Sequence, residues 1–157
     1  MITAEINNAD EFAQKYERLG ENLRNALARE VQIAAFKLLA HVKADKLSGQ
    51  VLQVQSGRLR TSVHQRVEIT DTSAHGFVGT NVVYARRHEY GFQGTESVRE
   101  YFRRCKSGKR AIVRAHTREV NYSAHSFLRS ALEDMKDEIR SRLYEAAKGA
   151  ITETLRG

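Results

Sequence analysis

Six histidines are the most obvious chemistry-bearing residues of the chain: His41, His64, His75, His88, His116 and His125. None stands in a helical His-Glu-x-x-His or in a Cys/His finger spacing, the two patterns that put metal ligands on one side of a site. His88 and Glu89 are adjacent rather than one helical turn apart, so the two side chains do not share a helix face and read as a surface pair or an interface contact. Cys105 is the sole cysteine, too few for a disulfide framework or a thiolate cage. Its neighbours Arg104 and Lys106 favour the thiolate form, against which stands the plainer reading of an exposed thiol on a hairpin. Ser62 and Ser126 lack the strand-turn-helix elbow of an activated nucleophile, and no glycine-rich loop resembles a phosphate cradle. The sequence therefore offers no catalytic set, no metal site and no cofactor site.

What it does offer is a concentration of cations. Arg99, Arg103, Arg104, Lys106, Lys109, Arg110, Arg114 and Arg118 crowd one stretch, with Tyr101 and Phe102 as the only ring pair among them. Clustered Lys and Arg neutralise phosphates and release counterions, and they serve equally well against acidic groups of a neighbouring subunit. So few interleaved aromatics do not indicate sequence-reading of nucleic acid.

The elements that must position this cluster follow from periodicity. Ile2, Ala4 and Ile6 alternate with polar residues as a short edge strand would, and Asn8 with Glu11 forms a capping box. Phe12, Tyr16, Leu19, Leu23, Leu27, Val31, Ala34, Leu38 and Val42 then recur at helical steps. Gly20 is a place for this helix to bend, and Ser48-Gly49 is its stop. At about 1.5 Å per residue the rod is roughly 55 Å long, more than a domain of this size needs to cover its own core. Part of its apolar face is left for another subunit.

From Leu59 the period changes to two, with Leu59, Thr61, Val63, Val67 and Ile69 on one side. The turn-rich Asp71–Gly76 and a returning strand over His75–Val83, with Gly79 as a bulge, complete a hairpin. Tyr84–Tyr90 reads as a helical turn ended by Gly91. Residues from about 95 to 122 read as a projecting β-hairpin with a basic tip at Ser107-Gly108. A second amphipathic helix carries Phe127, Leu128, Leu132, Met135, Ile139, Leu143, Ala146, Ala150 and Ile151, capped by Ser126 or Ser123. The expected fold is α+β: N- and C-terminal long helices packed on a small antiparallel sheet, in one domain over residues 1–157.

Composition sets the outer bounds. At 157 residues the chain suits one core, and 41% hydrophobic with 29% charged residues is ordinary for a folded domain. A net charge of +7 and a pI near 9.8 favour an acidic partner. No stretch reads as a membrane span or signal peptide, and acids mixed through the helix faces argue against a membrane surface. The complete lack of proline agrees with long uninterrupted helices and ribbons.

Three local sequences, in order, resemble a known family. Ser56-Gly57-Arg58-Leu59-Arg60-Thr61-Ser62 resembles the Gly-Arg-Leu-x-x-Ser signature of the neck or tail-completion family of long-tailed DNA phages, which includes minor tail components. Tyr84-Ala85-Arg86-Arg87-His88-Glu89-Tyr90-Gly91 is similar to that family's Tyr-Ala-x-x-x-Glu-aromatic-Gly turn, and Ser126-Phe127-Leu128-Arg129-Ser130-Ala131-Leu132 to its Pro-Phe-Leu-x-x-Ala-Leu helix start. Ser126 stands where proline is usual, and the basic hairpin is longer than in compact members.

The resemblance implies a virion structural protein of the head-tail junction, of the neck, tail-completion or tail-terminator type. It would be a homo-oligomer, assembled in the host bacterial cytoplasm into a ring through which DNA passes, hexameric to match a six-fold tail. Its partners would be head-completion or connector and tail-tube proteins, with non-specific contact to passing DNA and none to membrane. The expected fold and interface residues are Gly57, Arg58, Leu59, Tyr84, Ala85, Glu89, Tyr90, Gly91, Phe127 and Leu128. Within this set Arg58 is expected to pair with Glu89, and Tyr84 and Tyr90 to wedge the turn against the sheet. The alternative reading is a standalone basic nucleic-acid-binding module.

Overall fold

A computed structural model describes residues 9–106 and 108–156. The expected edge strand at Ile2, Ala4 and Ile6, the Asn8 cap, the Phe12 side chain and Ser107 lie outside the described residues. The architecture is α+β, two long helices packed against small antiparallel sheets, as the periodicity predicts.

Helix α1 spans Ala9–His41 and runs without a break through Gly20. It continues into a wider-turned extension, Val42–Gln50, where Ser48 and Gly49 leave helical geometry. Gly49 ends the rod at φ +123°, a conformation that side chains with a Cβ rarely adopt. Helix α4, Leu128–Arg156, lies antiparallel to α1. Cross-links mark the pairing: Asn22 donates to Thr154 at 3.0 Å, Arg142 to Glu30 at 2.9 Å, and Lys37 bonds Glu138. At the far end His41 bridges Asp45 and Asp134, and buried Lys46 reaches Asp134 at 2.7 Å. Lys46, ahead of His41, holds the Asp134 carboxyl below its ordinary range.

Strands β1, His64–Ile69, and β2, Ala74–Gly79, form an antiparallel hairpin laid on α1. A Cβ on Gly76 would come within 3.3 Å of the Ala35 and Val31 side chains, so the hairpin lies close enough to the helix that any side chain there would make these neighbours give by a few tenths of an ångström. Beneath lies a small core of Val42, Leu47, Val63, Ala85, Phe127 and Ala131, with Leu38, Leu59, Val78 and Leu128 packed around it. Phe127 is its largest fully buried side chain.

The period-two reading from Leu59 needs correction. Arg58–Ser62 is a short helix, α2, and the strand begins only at His64. Gly57 at φ +70° turns the chain, the Thr61 amide donates to the Gly57 carbonyl, and the hydroxyls of Thr61 and Ser62 donate to carbonyls one turn back. Short polar side chains satisfy the backbone locally here, so alternation does not become a strand. Gly79 is no bulge, since it pairs in register with His64 and closes β2. The predicted turn at Tyr84–Tyr90 is helix α3, Ala85–Tyr90, ended by Gly91.

The projecting hairpin is longer than expected. Strands β3, Phe92–Val98, and β6, His116–Tyr122, pair at its base, and β4, Tyr101–Arg104, and β5, Arg110–Val113, pair at its tip. Two residues on each side separate the ladders, so the register carries through the gap. The result is one ribbon about 40 Å long, and among the described residues no helix or other strand packs along it beyond contacts at its base.

Candidate assembly surface

Two of the three signature sequences meet at the start of α4. The amides of Phe127 and Leu128 each donate to Glu89 Oε2 at 2.9 Å, and the Arg129 amide donates to Oε1 at 3.0 Å. Ser126 Oγ donates to Oε1 at 2.7 Å, Arg129 Nε does so at 3.1 Å, and Arg129 Nη2 reaches the Glu89 carbonyl. The first amides of a helix have no partner inside it, and here a carboxylate from another element takes three of them. This corrects the expected cap. Ser126 and Ser123 do not cap α4; Glu89 does, with Ser126 as a further donor to it. Ser126 thus adds a hydroxyl to the junction.

Glu89 is 3% exposed, not the surface residue its position beside His88 suggested. Burial pushes its carboxyl up, but the Leu128, Arg129 and Phe127 amides and the Ser126 hydroxyl together outweigh that and hold it below 4.5. Its ion-pair partner is Arg129, at 3.1 Å; among the described residues Arg58 forms no ion pair, which overturns the expected Arg58–Glu89 pairing. Gly91, at φ +74°, follows directly. A Cβ there would stand 2.8 Å from the Tyr122 carbonyl and 3.1 Å from the Ala124 amide. Only glycine lets the two ends of the ribbon close against each other.

Tyr84 and Tyr90 do not wedge the turn. Both are exposed, Tyr84 edge-on to His88 and Tyr90 under the Arg129 guanidinium at 4.7 Å. The group that packs inward is the small side chain of Ala85. The third signature joins them from the side: Gly57, Arg58 and Leu59 line a hollow of about 420 Å³ together with Tyr84 and His88. Gly57, Arg58, Leu59, Tyr84, Ala85, Glu89, Tyr90, Gly91, Phe127 and Leu128 therefore form one neighbourhood around α3.

From it the ribbon projects. Arg87, on α3, lies 4.3 Å over the Phe92 ring and bonds Glu96, which also accepts from Arg118 at 3.1 Å. Arg118, ahead of Arg87, holds the Glu96 carboxyl below its ordinary range. Arg118 is thereby spent within the chain, and Arg87, inside the Tyr84–Gly91 signature, is a positioning residue that the count of ribbon cations passed over.

The remaining cations, Arg99, Arg103, Arg104, Lys106, Lys109, Arg110 and Arg114, form no ion pair among the described residues. Between Tyr101 and Val113 five of them stand with no acid. Strand alternation places Phe102 opposite Ile112 and Arg104 opposite Arg110 on one face of the tip. Phe102 is 69% and Ile112 59% exposed, and two arginines facing each other across a ladder repel. Cys105 is half-buried in the turn, its amide donating to Lys109.

Among the described residues no three His, Cys, Asp or Glu side chains come together as a metal-ligand group, and no helix is long and apolar enough to cross a membrane. Compared with protein-family models, curated proteins and solved structures, the chain finds no match.

Proposed function

We propose that the chain is a virion structural protein of the head-tail junction, of the neck or tail-completion type, which assembles into a hexameric ring that joins or caps the tail and lets DNA pass. The observation that carries the assembly part is area. The folded chain exposes 12531 Å², against about 8,000 Å² for a compact monomer of its mass. The excess is apolar as well as charged: Val83, Phe102, Ile112, Tyr90, Tyr144 and Leu155 all stand in solvent, and large apolar exposure marks interaction surfaces. The head-tail part rests on the three signature sequences and their convergence around α3. In this reading the junction at Glu89 holds the ribbon at a fixed angle, and the ribbon reaches a neighbouring protein or another copy. Head-completion and tail-tube proteins then stack on the two faces of the ring.

Electron microscopy tests this on the purified chain and on mature particles labelled for it. The expected images show rings with an opening wide enough for a duplex, and label at the junction of head and tail. Particles without label at that junction would overturn the proposal.

A second reading, a standalone nucleic-acid-binding module, is favoured by the acid-free tip alone. It predicts steeply salt-dependent DNA retention that vanishes when Arg103, Arg104, Lys109 and Arg110 are neutralised.

A further inference from the structure

Among the described residues, the helix pair leaves a second element without a partner. The last cross-link between α1 and α4 toward this end is Asn22 to Thr154, and α4 stops at Arg156. From Ala9 to Glu21, α1 runs on alone for thirteen residues, about 20 Å. Every residue of this overhang with a described side chain is exposed apart from half-buried Leu19, and Tyr16 is 71% exposed. A lone helix of that length is marginal in water. Gly20, with open space where its Cβ would stand, weakens it further relative to alanine.

The overhang is also acidic. Asp10, Glu11, Glu17 and Glu21 outnumber Lys15 and Arg18, and among the described residues only Glu11 and Lys15 pair, at 3.7 Å. The ribbon is its complement, with eight Lys or Arg against three Glu between Phe92 and Tyr122. Both carry apolar groups in solvent, Phe102 and Ile112 on the ribbon, Tyr16 on the overhang and Leu155 beside it at 72% exposure.

Among the described residues the two elements do not pack together within one molecule. The ribbon leaves the body at Phe92 and Tyr122, beside the start of α4, whereas the overhang lies past its end, and α4 is 29 residues long, about 43 Å.

We propose that the ribbon of one copy packs along the Ala9–Glu21 overhang of the next, the tip cations against carboxylates and the Phe102–Ile112 pair against Tyr16. This names the contact that the assembly reading leaves open, and it rests on that reading. The contact is heterologous: each copy gives a ribbon and receives one, and such head-to-tail joints close into rings when the rotation allows. The exposed excess of about 4,500 Å² over a compact monomer is enough for two contacts of ordinary size per copy.

Charge reversal tests it on the full chain. One variant carries Arg103→Glu, Arg104→Glu and Arg110→Glu; the other carries Glu11→Lys, Glu17→Lys and Glu21→Lys. Light scattering gives the mass of each alone and of the two mixed, and circular dichroism confirms that both are folded. Each variant alone should need about a hundredfold higher concentration to assemble, since like charges then face each other. The mixture should recover the wild-type mass, because each ribbon then finds an overhang of opposite sign.

If both variants assemble like wild type, this contact is wrong and the assembly reading stands. Dissociation of the ribbon variant without recovery on mixing assigns the ribbon to a different acceptor and overturns the pairing. Unchanged mass with loss of DNA retention in the ribbon variant makes nucleic acid the partner. A wild-type chain that stays monomeric removes both the contact and the reading beneath it.

Discussion

Arginines at the foot of the ribbon and arginines at its tip live under opposite conditions. At the foot, Arg87 and Arg118 share Glu96, and Arg129 is fixed between Glu89 and the Tyr90 ring. At the tip, Arg104 faces Arg110 with no acid between Tyr101 and Val113. The same residue type thus does two jobs in one chain. Where every donor has an acceptor, charge fixes geometry; where like charges are held side by side without one, charge is kept for a partner.

That contrast can be broken by substitution, and the largest effect belongs to the core under the junction. Phe127→Ala removes the largest fully buried side chain from a core of six. It should cost about 3–5 kcal/mol, a large share of a small domain's stability, and denaturant titration should show little folded protein.

Next comes Glu89→Ala. It strips three helix amides, a serine hydroxyl and Arg129 of their acceptor at once, and about 3 kcal/mol should be lost. Glu89→Gln keeps the volume but turns an amide nitrogen toward donors, so it should recover less than half of that loss.

Gly91→Ala should cost about 2 kcal/mol or more, from positive φ and from the clash with the Tyr122 carbonyl. Hydrogen exchange would show the loss first at the paired amides of the ribbon base.

Acid provides the same test without mutation. The folded Glu89 carboxyl lies below its ordinary range, so the unfolded chain binds the proton more readily. The stability it contributes is complete above about pH 4.5 and is lost as pH falls through the lower folded value. Glu96, Asp134 and Glu138 are depressed in the same direction, so all four weaken the fold together on acidification. Melting temperature should fall below pH 4.5, and less steeply in Glu89→Gln.

The smallest effect, with opposite sign, is expected at the tip. Arg110→Thr removes one member of the facing arginine pair. It should leave the isolated chain unchanged or more stable by a few tenths of a kcal/mol, while weakening whatever association the ribbon makes.

Periodicity made the long elements legible. The apolar steps from Leu23 to Val42 and from Leu128 to Ala150 are helical, Gly49 and Gly91 end elements where predicted, and the hairpin at Ala74 and the ribbon exist. What could not be read was which partners meet. Glu89 looked like a surface acid because its neighbours in sequence are polar; the groups that bury it come from residues 126–129, nearly 40 positions on. Arg58 looked like its partner by charge alone, and lost to an arginine already held beside it by α4.

The α2 segment is a helix despite its alternation, because Thr61 and Ser62 fit a strand pattern by polarity while their hydroxyls close a helical turn. The amphipathic stripes were legible, but not how incompletely they are covered: Tyr16 and Leu132 lie on them and remain in solvent. A stripe shows that a face is apolar; it does not show whether the partner is in the same chain.

The central claim is that one copy cannot cover its own surface, and the most direct test is the mass of the wild-type chain in solution. Sedimentation equilibrium over a range of concentrations should give a multiple of 17.8 kDa, tending to six copies at the upper end. A mass that stays at one chain throughout, with Phe102, Tyr16 and the tip cations still in solvent, would contradict the account.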